Sequence, residues 1–294
     1  MLKPLLGAAL ACGLFFAAAP AFAQAGCTRA ELQTLADKYI AAQTSGEVGK
    51  LPLGLWVQYS EQMDPSASMG SGMLSAPQKI DFHRSLLDTQ SCSTFTEVVI
   101  ADPAHPYVLG TRLQIRGGSV NEIETLVTDQ DDWLFNAANT LKYSRAEKWT
   151  EIPAAERDSR ETLLAAANAY LDLFNDKNVA VPWGTPCARL EGGLYTAKGA
   201  PGVASPEDSC NVGVPAGQKL INRRYVVDEA LGAVAVLLNF GNNQLPDAHI
   251  FRVEKGKLRY IHTITVCKTF NCGFKAPPGS PASPASPASP ATGG

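Results

Sequence analysis

Apolar and polar positions follow the same order twice along this chain. Leu32, Leu35, Ala36, Tyr39 and Ile40 recur at helical spacing behind a capping box that runs from Thr28 to Glu31. Leu163, Ala167, Tyr170, Leu171 and Phe174 repeat that stripe behind Ser159, with Leu32 aligned on Leu163 and Tyr39 on Tyr170. The period then changes from helical to alternating. Phe82 to Asp88 is echoed by Asn222 to Asp228, with Asp88 on Asp228. Each is followed by an apolar strand, Phe95 to Ile100 and Ala233 to Phe240, and then by Tyr107 to Arg116 and His249 to Glu254.

The repeat is plainest in the last strand of each half. Gly117 to Thr128 aligns with Lys255 to Val266, putting Val120 on Leu258, Ile123 on Ile261, Thr125 on Thr263 and Leu126 on Ile264. Glu124 then falls on His262, an ionisable group at the same place in both. Leu53 to Tyr59 is one more extended segment. Residues 63–78, rich in Met, Ser, Gly and Pro, form a loop, read either as a lid over a pocket or as a mobile surface loop. Asp131 to Phe135 and Lys142 to Pro153 join the halves, and residues 197–219 make a second long loop. Each half is therefore a helix, an irregular connection and a run of strands. This is an α+β plan in which an antiparallel sheet wraps a helix.

Composition adds compartment to this picture. The 294 residues are 45% hydrophobic with a formal charge of -3, enough for two cores. Residues 1–23 read as a secretory signal: Lys3, an apolar run from Leu5 to Ala19, and Ala21-Phe22-Ala23 as the cleavage site. Domains are expected at 24–150 and 151–274, followed by a disordered Ser/Pro/Ala-rich tail at 275–294. Loss of Lys3 takes the charge from -3 to -4, which disfavours nucleic acid. Of seven cysteines, Cys12 leaves with the signal. The even remainder in an exported chain implies disulfides. The repeat plan favours Cys27–Cys92, Cys187–Cys210 and Cys267–Cys272. Zinc-ligand spacing is absent, and the acidic run Asp129, Asp131, Asp132 reads as a solvated turn rather than a calcium loop. No nucleotide, flavin or metal motif occurs, so no cofactor and no metal are expected.

Several motifs carry a family resemblance. They are Cys92 to Glu97, Asp102 to Tyr107, Asp132 to Ala137, Val181 to Cys187, Arg189 to Tyr195, Asn222 to Tyr225 and the last strand. In these the chain resembles a secreted, largely fungal family of uncharacterised proteins with tandem nuclear transport factor 2-like, or SnoaL-like, cone domains. The resemblance spans residues 27 to about 274. It implies two cones, each a helix held in a strongly curved sheet. It brings no assigned reaction. The wider fold hosts isomerases, dehydratases, cyclases and non-enzymes, and fold alone does not choose among them.

Candidate chemistry comes from strand alternation. His262 shares a face with Tyr260 and Ile264, and His249 shares one with Phe251 and Val253. If both faces line a cone, two desolvated imidazoles would carry protons in a cofactor-free lyase or isomerase. Asp228 would orient one of them. Arg189, Glu191 and Tyr195 fall near the expected cone mouth, and Arg224 is a candidate for holding an acidic group. Tyr260, Glu124 and Tyr59 complete the candidate binding set, Glu124 with a raised pKa if it points inward. The rival readings are a non-catalytic binder of a small apolar or aromatic molecule, and a secreted structural or host-interaction protein with filled cones. Each is extracellular, a monomer or homodimer, with no nucleic acid and no stable membrane insertion.

Overall fold

A computed structural model gives the structure of residues 26–199 and 202–273, so the signal segment and the tail from 275 lie outside the described residues. The first half opens with α1 (Arg29–Ser45), whose Thr28–Glu31 capping box is formed as expected. Five strands follow: β1 (Leu53–Glu61), β2 (Phe82–Asp88), β3 (Ser93–Ile100), β4 (Tyr107–Arg116) and β5 (Ser119–Thr128). They order as β1-β5-β4-β3-β2. Four of them form an antiparallel run, but β1 joins β5 in parallel, with Tyr59 opposite Ile123. Three antiparallel strands lie between β1 and this partner in the chain.

The second half repeats the plan. α3 (Arg160–Asp172) precedes β6 (Trp183–Glu191), β7 (Leu194–Tyr195), β8 (Leu220–Asp228), β9 (Ala233–Phe240), β10 (Leu245–Glu254) and β11 (Lys257–Thr265). Their order is β7-β6-β11-β10-β9-β8, again with a parallel pair, β6 on β11. The fold is thus α+β with two tandem cone-like domains. α2 (Ala137–Ala146), capped by the side chain of Asn136, lies in the junction that reads as a plain connection in the sequence.

Three cores hold this together. One fills the first cone around Leu32, Leu35, Tyr39, Leu109 and Ile123. A second fills much of the other cone around Leu163, Tyr170, Phe174, Phe251 and Ile261. The third lies between the sheets, where Leu86, Phe95 and Leu126 of one meet Ala235, Leu237, Ile250 and Ile264 of the other. Each sheet is therefore buried on both faces, one against its own helix and one against the other sheet. Gly110 makes that approach possible: a Cβ there would lie 2.9 Å from the Phe95 ring and 3.1 Å from Ile264.

All three expected disulfides are present, Cys27–Cys92, Cys187–Cys210 and Cys267–Cys272. They fit an extracellular protein. No helix among the described residues is long and apolar enough to cross a membrane.

Candidate functional site

The two cones differ at equivalent positions. In the first, Tyr39 donates to Thr111 Oγ1 at 2.7 Å, and Thr111 and Thr125 hydroxyls meet at 3.1 Å. Tyr59 donates to Glu61 at 2.5 Å, and the same carboxylate accepts from the Met73 N–H. Leu74 is buried, Met69 and Met73 pack on the core, and Gln43 holds the carbonyls of Met73 and Ala76. The 63–78 loop is therefore a plug built into the first cone. Burial, reinforced by the Glu61 carboxylate, pushes the Tyr59 phenol well above its usual range.

Register maps this set onto the second cone. Thr111 sits opposite Thr125 and His249 opposite Thr263, so His249 takes the place of Thr111. By the same mapping Asp247 replaces Leu109, Thr265 replaces Val127 and Arg189 replaces Tyr59. Asp247 is fully buried, and its carboxylate lies 2.6 Å from His249 Nδ1. The other Asp247 oxygen accepts from the Thr265 hydroxyl at 2.5 Å. A carboxylate on Nδ1 makes that nitrogen the protonated one in the neutral ring and leaves Nε2 as an acceptor. Arg189 is bound to Glu191 and donates to the Gly213 carbonyl at 2.9 Å, so its charge is already matched.

These groups line a cavity at the mouth of the second cone, with about 480 Å³ of empty space counting its opening. Arg189, Glu191, His249, Thr263 and Thr265 form its polar side, and Phe174, Phe240, Leu245, Trp133 and Pro215 its apolar side. Cys272 closes one edge through the short Cys267–Cys272 loop. The cavity thus has a mainly apolar wall and a few convergent polar groups. No cluster of side chains among the described residues could hold a metal ion.

The structure does not bring the two nominated histidines together. His249 pairs across the ladder with Thr263, not with His262, so the imidazoles project from opposite faces of the sheet. His262 points between the domains. Its Nδ1 is 2.8 Å from Glu97 and its Nε2 is 2.7 Å from Glu147, with Arg84 on the same carboxylates and stacked 4.1 Å over Trp149. Burial opposes a charge there, but Glu147 and Glu97 outweigh it and raise the imidazole pKa to about 9. The space beside it, about 10 Å³, holds one water at most. His262 is thus held between two carboxylates at the domain junction, outside the second cone.

Asp228 lies away from both imidazoles. It accepts from the Leu87 N–H at 2.9 Å and pairs with Arg29 at 2.7 Å. The carboxylate beside His249 is that of Asp247. An Asp-x-His alternation within one strand was the sequence signal for it. Arg224 and Glu124 form an ion pair at 2.7 Å across the halves, joined by Arg112 at 2.8 Å, so neither enters a cone. Tyr260 stacks on Trp149 on the outer face, and Tyr195 stacks on Tyr143 with ring centres 4.2 Å apart. Tyr59 is sealed in the first cone. Arg189, Glu191 and His249 are the nominated residues that converge. Asp132 is buried rather than solvated: it accepts from the Cys267 and Asp129 N–H groups, and burial raises its pKa to about 6.

Residues 156–265 match a family described as a domain of unknown function (DUF8021). That stretch is less than half of the chain, and it runs from just before α3 to the end of β11, the half that holds the cavity. No curated protein matches the chain.

Proposed function

We propose that this is an exported small-molecule protein whose second cone binds an apolar or aromatic ligand and whose first cone is a structural partner, closed at the equivalent point by its own side chains. The carrying observation is the His249–Asp247 pair, at 2.6 Å, on the wall of a mainly apolar cavity. Residues 1–23 act as the export signal, and three disulfides support that compartment. The two cone-like domains support kinship with the nuclear transport factor 2-like fold.

In the catalytic form of this reading, His249 Nε2 takes a proton beside a ligand carbonyl and returns it elsewhere, as a lyase or isomerase does, while Asp247 stabilises the imidazolium. One observation favours the binder instead. The cavity holds a single imidazole, and the charges of Arg189 and Glu191 are already paired with each other. A panel of small aromatic and alicyclic hydroxy and carbonyl compounds, screened by ligand-observed NMR, separates the readings. Conversion of a bound compound by wild type but not by His249→Ala supports the enzyme. Binding without conversion supports the binder. No binding by any compound rejects the pocket.

A further inference from the structure

Three deeply buried polar atoms of the second cone have no hydrogen-bond partner: Tyr170 OH, Thr263 Oγ1 and Arg189 Nε. Their residues are 0%, 9% and 5% exposed. The side chains that carry them are neighbours. The Arg189 guanidinium lies 5.6 Å from the Tyr170 ring, that ring lies 5.7 Å from His249, and Thr263 faces His249 across the ladder. The equivalent point of the first cone is closed by protein alone, through the Tyr39–Thr111–Thr125 hydroxyl chain. Exchange of Thr111 for His249 breaks that chain and strands its two ends. Unpaired buried donors and acceptors each cost free energy, so an arrangement that keeps them suits a ligand that supplies the missing partner.

Charge narrows the ligand further. Arg189 and Glu191 cancel, and the Asp247–His249 pair carries no net positive charge in either state of the ring. An anion is disfavoured there, and a hydroxyl or carbonyl oxygen is not. We infer that the second cone takes a neutral ring-sized ligand with one hydroxyl or carbonyl oxygen, and that Tyr170, Thr263 and His249 seat that oxygen at the cavity floor. His249 and Thr263 line the cavity, whereas Tyr170 lies covered behind that lining, so seating includes a shift of the side chains over it. This rests on the pocket reading above and adds to it the position and kind of the polar contact.

Phenol, toluene and benzoate test it, because they share a ring and differ in one substituent. Titrations followed by ligand-observed NMR at pH 7 are expected to show phenol binding at least tenfold more tightly than toluene and benzoate. Tyr170→Phe brings phenol to the level of toluene and leaves toluene unchanged, while Tyr39→Phe alters neither. In thermal melts Tyr39→Phe lowers Tm by a few degrees because a protein hydrogen bond is lost, and Tyr170→Phe does not. Toluene binding as tightly as phenol, with Tyr170→Phe silent, overturns the oxygen seat and leaves the apolar pocket standing. Benzoate binding tightest overturns the neutral class. Tyr170→Phe melting as low as Tyr39→Phe shows the hydroxyl to be bonded within the protein and also overturns the seat. Failure of all three probes to bind overturns the pocket together with the seat.

Discussion

Asp88 and Asp228 exchange partners across the two halves of the molecule. Asp88, at the end of β2, accepts from the Val227 N–H at 2.9 Å and from Arg160 at 2.7 Å, both in the second half. Asp228, at the end of β8, accepts from the Leu87 N–H at 2.9 Å and from Arg29 at 2.7 Å, both in the first. Arg29 and Arg160 are the opening residues of α1 and α3. The pairs are related by the internal duplication, and the halves join as a two-fold dimer would, with self-complementary surfaces. β2 and β8 are the end strands of their sheets, and the crossed carboxylates occupy N–H groups that an end strand would otherwise leave unpaired.

The crossing makes the carboxylates matter more than the arginines. Asp228→Ala strands the buried Leu87 and Leu231 N–H groups and should cost about 3–5 kcal/mol in urea unfolding. Arg29→Ala should cost about 1 kcal/mol, because that side chain is one-third exposed and water screens the pair. Equal losses would mean that the ion pair, not the backbone bonds, holds the junction.

His262 should give the fold an alkaline limit. A free histidine titrates near 6.5, and here Glu147 and Glu97 hold the ring to about 9 against the opposing effect of burial. The folded pKa is the higher one, so this contribution is complete below about pH 6.5 and is lost as pH rises through 9. The shift corresponds to roughly 3 kcal/mol. Glu97 works in the other direction. Despite the cost of burial its pKa is lowered by His262 and Arg84, so its contribution is present above the ordinary carboxylate range and lost in acid. Thermal melts from pH 5 to 9.5 should fall above 6.5 in wild type. In His262→Gln they should start lower and stay flatter.

How much of this was readable in advance depended on which faces the strands turned inward. The duplication was legible because strands of both halves carry matching apolar and polar positions, from Val120 and Leu258 to Asp88 and Asp228. The placement of His262 was not. Strand alternation assigns it a face but not which face lines the cone. Both faces of β9 are apolar, Val234, Val236 and Leu238 toward one side and Ala233, Ala235 and Leu237 toward the other. A sheet covered on both sides loses the polar-out signal that separates inside from outside. The register of β10 on β11 decides the matter, and it emerges only when the strands are paired.

The Cys187–Cys210 bond should set both stability and the shape of the cavity mouth. It closes a segment of 23 residues, for which loop entropy gives about 3 kcal/mol. The same segment leads into Gly213, whose carbonyl holds Arg189, and Pro215, which lines the cavity. Cys187→Ala with Cys210→Ala should lower the unfolding free energy by about 3 kcal/mol. It should also weaken phenol binding more than the Cys27→Ala, Cys92→Ala pair does. Equal binding in the two variants would separate the loop from the site.

The sharpest test turns the second cone into a copy of the first. Asp247→Leu, His249→Thr and Thr265→Val install the residues found at the equivalent places, Leu109, Thr111 and Val127. The variant should fold, since the same set packs tightly one domain away. Removing a buried carboxylate–imidazole pair in favour of apolar packing is often neutral or stabilising by about 1–4 kcal/mol. Tyr170 would gain a threonine hydroxyl to match the 2.7 Å bond that Tyr39 makes with Thr111. Chemical denaturation should therefore show equal or greater stability, while phenol binding and any His249-dependent turnover disappear. A stable triple variant that still binds phenol like the wild type would place the ligand somewhere other than the second cone.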